Sequence, residues 1–142
     1  MSGENEPLTA SFSQDGNYVE LSSFFHSRED ARAGNPYNTA FRLSVESDGF
    51  SGVGEWECDI AVLRAFAREL EELYRFQRER AELRDMGCGS TLVFSAADRL
   101  GHVQVGGTLF GPHSVQSLRF EFTADQTALE PFVAELEALQ RE

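Results

Sequence analysis

Between Ser90 and Gln140 the apolar residues change period, and that change restricts the possible folds more than any other feature of the chain. Val103, Val105 and Leu109 alternate with His102, Gln104 and Thr108, and Leu118, Phe120 and Phe122 alternate with Ser117, Arg119 and Glu121. A period of two buries one face of a strand. Ser90 to Ala96 reads as a strand ahead of them, with turns at Asp98 to Gly101 and at Gly111-Pro112. Connections this short join antiparallel neighbours, so the stretch is expected to be a three-strand meander with one apolar face. From Leu129 the period becomes helical, with Leu129, Phe132, Val133, Leu136 and Leu139 on one stripe. Thr127 and Glu130 have the spacing of a capping box, and Pro131 must lie near the helix start, because in the interior it would cost about 3 kcal/mol.

The same reading applies upstream. Leu8 to Phe12 and Tyr18 to Phe25 are expected as strands around the turn-rich Gln14-Asp15-Gly16-Asn17, and His26 to Asn38, broken by Gly34-Asn35-Pro36, as a loop. Phe41, Leu43 and Val45 form a half-buried strand, Asp48-Gly49 turns it, and Val53 to Glu57 continues beside it. Trp56 belongs on the face opposite Glu55 and Glu57, in the core. Asp59 is a suitable helix N-cap, and Leu63, Phe66, Ala67, Leu70, Leu73 and Tyr74 recur at three and four, which predicts a helix from about Ile60 to at least Phe76. Interleaved Arg and Glu from Arg75 to Asp85 read as a solvated extension of that helix, ended by Gly87-Cys88-Gly89. The expected architecture is α+β, an antiparallel sheet with two amphipathic helices packed on one face, in a single domain over residues 8–142 behind a loose tail over 1–7.

Charge narrows the function. Twenty-four acids face 12 basic residues, all of them Arg, for a net charge of −12. Nucleic acid and anionic membranes bind through Lys and Arg, so a field of this sign repels both and attracts a cationic partner. The excess is concentrated in two Arg-free segments, one holding Glu46, Asp48, Glu55, Glu57 and Asp59, the other Glu121, Asp125, Glu130, Glu135 and Glu137. The first residues lack the basic and apolar regions of a secretory signal, and no stretch approaches the roughly 20 apolar residues of a membrane span, so a cytoplasmic location is expected. Cys58 and Cys88 form no CxxC pair and are expected as reduced thiols.

Catalytic and metal signatures are weak. His26, His102 and His113 with the two cysteines show none of the spacings of a zinc site, so neither metal nor cofactor is expected. Gly49-Phe50-Ser51-Gly52 departs from a nucleophile elbow, and Gly87-Cys88-Gly89-Ser90 lacks the Lys of a phosphate-binding loop. Gly106-Gly107 inside a strand marks a bend or a close backbone approach. Cys88 with His102 is the pairing that most resembles a nucleophile and base, without a local signature for either role. Glu55 and Glu57 share a strand face as an exposed acidic stripe rather than as a general acid and base.

The string as a whole resembles the WapI family of bacterial immunity proteins. The likeness is carried by Phe41-x-Leu43-x-Val45, Gly49-Phe50-x-Gly52, the following amphipathic helix, Gly101-His102-Val103-x-Val105-x-Gly107-x-Leu109, and Leu118-x-Phe120-x-Phe122-Thr123-x-Asp125-Gln126-Thr127-x-Leu129, over about residues 41–139. The resemblance implies a protein, not an enzyme, that binds and neutralises the toxic domain of a contact-delivered polymorphic toxin, in several systems a nuclease. A nuclease is basic where it holds phosphate, so acidic side chains can stand in for nucleic acid and steer association. The candidate partner-binding residues are Glu46, Asp48, Glu55, Glu57 and Asp59, with Glu130, Glu135 and Glu137 as a second surface. The alternatives are a ligand-binding or sensor domain with an apolar pocket lined by some of the 12 Phe, and an enzyme using Cys88 or His102.

Overall fold

The computed structural model describes residues 8–141, so the tail expected over residues 1–7 lies outside the described residues. Eight strands form two four-stranded antiparallel sheets, each in simple sequential order. The first contains β1 (Ala10–Gln14), β2 (Asn17–His26), β3 (Thr39–Ser47) and β4 (Phe50–Cys58); the second contains β5 (Arg80–Arg84), β6 (Thr91–Ala96), β7 (His102–Phe110) and β8 (Ser117–Asp125). Three helices accompany them: α1 (Arg28–Arg32), α2 (Ile60–Tyr74) and α3 (Leu129–Gln140). The class is α+β, as the order of periods implies.

Two tight hairpins organise the first sheet. Asp15-Gly16 and Asp48-Gly49 both take positive φ at each position, 52° and 86°, then 51° and 87°. That is the type I′ geometry whose twist matches paired strands, and Asp-Gly is among the sequences that adopt it most readily. From Ser47↔Phe50 the β3–β4 register runs to Thr39↔Cys58 without a shift. This register puts Phe41 opposite Trp56 on the inner face, and Arg42 opposite Glu55 on the outer one. Between β2 and β3 the register slips between Ser22 and Phe25, where Ser23 takes a φ of 52°.

The inner faces of both sheets and the apolar stripes of α2 and α3 meet in a continuous core. Its centre is aromatic. The Phe94 ring lies 5.1 Å from Phe12, 6.0 Å from Phe66 and 5.7 Å from Phe132, joining one strand of each sheet to both long helices. Burial of one such side chain contributes about 1.5–3 kcal/mol, which is why these positions position everything else. The helices pack against each other, α2 against β5 and α3 against β1.

Three expectations are corrected. The Arg75 to Asp85 tract is not a helical extension. The helix ends in a Schellman motif, with Phe76 in the left-handed region (φ 61°), its N–H donating to the Leu73 carbonyl and the Gln77 N–H to that of Glu72. Beyond it Ala81 and Leu83 are buried while Arg80 and Arg84 face solvent, the period of a strand, so the meander gains a fourth member. The loop expected from His26 to Asn38 contains α1, capped by Ser27 Oγ accepting from the Asp30 N–H. The proposed Thr127–Glu130 capping box does not form. The chain passes through a short 3-10 turn, Gln126–Ala128, and Asp125 Oδ1 caps it, accepting from the N–H and hydroxyl of Thr127.

Candidate functional site

The outer face of the first sheet gathers acids that are scattered in the sequence. Period-two alternation sends Glu46 from β3 and Glu55 and Glu57 from β4 to the same side, away from Leu43, Val45 and Trp56. Glu20 on β2 pairs with Ser44 and Tyr18 pairs with Glu46, extending this face. Val53 sits among them, paired with Ser44 and 60% exposed. Arg42 is the basic member of the group, its Nε donating to Glu55 Oε2 at 2.8 Å. That pair is exposed on both sides, so it contributes at most about 1 kcal/mol and leaves the surrounding acids unmatched.

The other two acids of this segment stand apart from the face. Asp48 is in the β3–β4 turn, where its N–H donates to Asn17 Oδ1. Asp59 follows the far end of β4 and caps α2, its Oδ1 accepting from the Ala61 N–H at 2.9 Å. At about 3.3 Å per residue the two are separated by about 30 Å. The segment expected to act as one acidic stretch is thus a three-carboxylate face with one acid at each end of the hairpin.

The second group divides as well. Glu130 accepts a hydrogen bond from the Tyr74 hydroxyl at 3.1 Å, and this bond, followed by the carboxylate charge, raises the phenol above its ordinary range. Glu130 and Glu137 line a small cleft of about 180 Å³ between α2 and α3, together with Glu71 and Arg75. Glu135 faces elsewhere, its Oε1 accepting from the backbone N–H of Ser11 on β1 at 2.8 Å.

Sequence reasoning missed the outer face of the second sheet. Arg80 on β5 and Arg119 on β8 flank an open cleft of about 540 Å³, lined also by Ser95, Gln104, Thr108 and Glu121. Glu82 is held between Arg80 (3.0 Å) and Arg84 (3.3 Å), and the hydrogen bond from Arg80 foremost keeps its carboxyl below the usual range. The available signal was the alternation of Ala81 and Leu83 with charged neighbours, which the helical reading of this tract concealed. The second sheet's outer face therefore mixes Arg80, Arg84 and Arg119 with Glu82 and Glu121, whereas the first sheet's carries Arg42 among Glu20, Glu46, Glu55 and Glu57.

The groups considered for catalysis are not brought together. Cys88 lies exposed in the β5–β6 turn, its N–H donating to Asp85 Oδ2 at 2.7 Å. His102 begins β7 and pairs through Nδ1 with Asp98 Oδ2 at 2.7 Å. They lie at opposite ends of β6, at least about 17 Å apart at 3.3 Å per residue. Cys58 is buried, and that burial, with smaller effects of Asp59 and Asp85, pushes its thiol up to about 12. Among the described residues no group of three or more His, Cys, Asp or Glu side chains is placed to hold a metal ion. The large phenylalanines Phe12, Phe41, Phe66, Phe94 and Phe132 fill the core against one another rather than lining an opening. No helix is long and apolar enough to cross a membrane among the described residues.

A family model described as the immunity protein WapI-like family matches residues 11–141. The chain belongs to that family. No curated protein and no solved structure matches it. The match to this WapI-like chain extends beyond the motifs between residues 41 and 139. It takes in the first hairpin from Ser11 onward, and runs through the Arg-rich tract that forms β5. Membership implies an immunity protein that acts on a toxin by binding it.

Proposed function

We propose that this immunity protein neutralises a basic toxin domain, with a nuclease as the leading class, by presenting the outer face of its first sheet in the cytoplasm of the producing cell. The observation that carries the reading is the placement of Glu46, Glu55 and Glu57 on one exposed sheet face around Val53. A central apolar contact with charged surroundings is the usual anatomy of a protein interface. Carboxylates on a rigid sheet are already held where a phosphate-binding cleft would meet them, so little ordering entropy is lost on docking. The long-range field of a chain with net charge −12 accelerates encounter with a cationic partner and disfavours nucleic acid and anionic membrane. Glu130 and Glu137, in the α2–α3 cleft, form a second and smaller contact surface. Glu135 and Asp59 act instead through the backbone groups they bond.

The test is co-expression. A candidate toxin domain, taken from the reading frame adjacent to that of this chain, is induced in a host with or without the immunity protein, and growth is followed. Wild-type protein should restore growth, and the Glu46→Gln/Glu55→Gln/Glu57→Gln variant should restore it only at much higher expression. Failure of the wild-type protein to protect against, or bind, that domain would overturn the reading.

A further inference from the structure

The two sheets have four edges, and on three of them side chains reach an outward backbone group, leaving others, such as those of Ser13 on β1, Arg80 and Arg84 on β5 and Arg119 on β8, without a bond among the described residues. On β1 the Ser11 N–H donates to Glu135, and on β5 the Glu82 N–H to Glu69 at 3.4 Å. On β8 the Asp125 N–H donates to Gln14, and the Glu121 carbonyl accepts from the Ser47 hydroxyl. The fourth edge is β4, and it is closed at one end only. There the Glu57 N–H donates to Asp85 Oδ1 at 2.9 Å, and the Glu57 carbonyl accepts from the Met86 N–H at 2.9 Å.

Those two bonds also fix the direction of the other backbone groups. Because β4 pairs with β3 without a register shift, the groups of alternate residues point the same way. Glu57 points away from β3, so Ser51, Val53 and Glu55 do too. The hairpin gives the same parity, since Phe50, closing the two-residue turn, is directed at Ser47. Among the described residues no backbone or side-chain group bonds the N–H or carbonyl of Ser51, Val53 or Glu55. All three residues are exposed.

We infer that the β4 edge from Ser51 to Glu55 is the acceptor for an extended strand of the toxin domain, which adds to the first sheet as a fifth strand. This rests on the proposed function and names its binding mode. An open edge with exposed apolar residues is a liability that folded proteins normally blunt with Pro, Lys, a bulge or a cover. Among the described residues β4 has no Pro, bulge or cover along Ser51–Glu55, its one charge there is Glu55, and it carries Phe50 at 69% exposure and Val53 at 60%. Main-chain bonding would supply affinity, and the side chains beside the new strand would supply selection. On the outer face those are Val53, Glu55 and Glu57, with Glu46 one strand further in. The incoming strand is therefore basic on that face. A second copy of this chain would bring carboxylates to carboxylates, and each copy carries a net charge of −12.

The experiment is amide hydrogen exchange on the full chain, free and bound to that candidate toxin domain, with Val53→Pro and Val53→Thr as variants. Proline at an outward N–H of an edge strand is tolerated by the sheet but cannot donate to an added strand. In the free protein the amides of Ser51, Val53 and Glu55 should exchange at least a hundredfold faster than those of Gly52 and Gly54, and in the complex they should slow by at least that factor. Val53→Pro should weaken binding at least fiftyfold with an unchanged unfolding midpoint, and at least tenfold more than Val53→Thr, which loses part of the apolar contact but keeps the N–H. A complex in which the Ser51, Val53 and Glu55 amides still exchange at their free rates would overturn strand addition while leaving the proposed function standing. A dimer of the free chain with these amides already protected would also overturn it, assigning the edge to a second copy. Absence of any complex would remove both.

Discussion

Asp85→Ala is the substitution whose effect on stability follows most directly from the structure. Asp85 is buried, 1% exposed, and its carboxylate accepts three backbone N–H bonds: Oδ1 from Glu57 and Gly87, both at 2.9 Å, and Oδ2 from Cys88 at 2.7 Å. These bonds hold the β5–β6 turn together and tie it to the end of β4. Hydrogen bonds to a charged group contribute about 1.5–3 kcal/mol each, and a stranded buried donor costs about 1–3 kcal/mol. The three share one acceptor and do not add fully, so the loss should be about 3–4 kcal/mol. With a urea slope of about 1.5–2 kcal/mol/M for a chain of this size, the unfolding midpoint should fall by about 2 M. Asp85→Asn should fall about half as far, because the amide oxygen can still accept while its NH₂ group faces the Cys88 N–H. The assay is equilibrium urea unfolding followed by tryptophan fluorescence of the core residue Trp56. A midpoint shift below about 0.5 M for the alanine variant, with an unchanged slope, would refute the reasoning.

Two further outcomes are expected. Gly107→Ala should destabilise by more than about 3 kcal/mol, because the backbone there has a φ of 152° and a Cβ would lie 2.0 Å from the Thr91 carbonyl oxygen; a midpoint within error of wild type would contradict this strand pairing. Cys88 should react readily with a thiol reagent at pH 8 while Cys58 stays protected until unfolding, since its buried thiol titrates at about 12; two equivalents reacting quickly in the folded protein would contradict that assignment.

The parts of the fold that were legible are those whose side chains report one period over many residues. Leu63 to Leu73 and Leu129 to Leu139 read as helical stripes, and Asp48-Gly49 as the turn after the alternating run of Phe41, Leu43 and Val45. β5 was not legible because it is five residues long and shows the core only Ala81 and Leu83, amid charges that suit a helix surface equally well. The stop before it is made by Phe76 in a conformation that usually announces itself with glycine. α1 is short and buries no side chain, so no stripe reveals it. For the candidate site, the acids were visible but not their division. The cap that occupies Asp59 with Ala61 was legible, but nothing local says that Glu135 is bonded to Ser11 on a strand more than a hundred residues away, or that Arg42 stands opposite Glu55. Each of those depends on register or on tertiary contact.

The central claim is that the outer face of the first sheet meets a basic toxin domain, and the most direct measurement is the association rate. Wild-type protein and the Glu46→Gln/Glu55→Gln/Glu57→Gln variant are compared against that domain at low and at physiological salt. Glu55 and Glu57 are exposed and Glu46 is half-buried, and surface substitutions of this kind usually change stability by less than about 0.5 kcal/mol each, so the two proteins should unfold at closely similar midpoints. The wild-type rate should fall steeply with salt, because the Debye length shortens to about 8 Å. The variant should associate about tenfold more slowly at low salt, with a shallower salt dependence. Equal association rates with equal salt slopes would show that these carboxylates only solvate the sheet and that the toxin is met elsewhere.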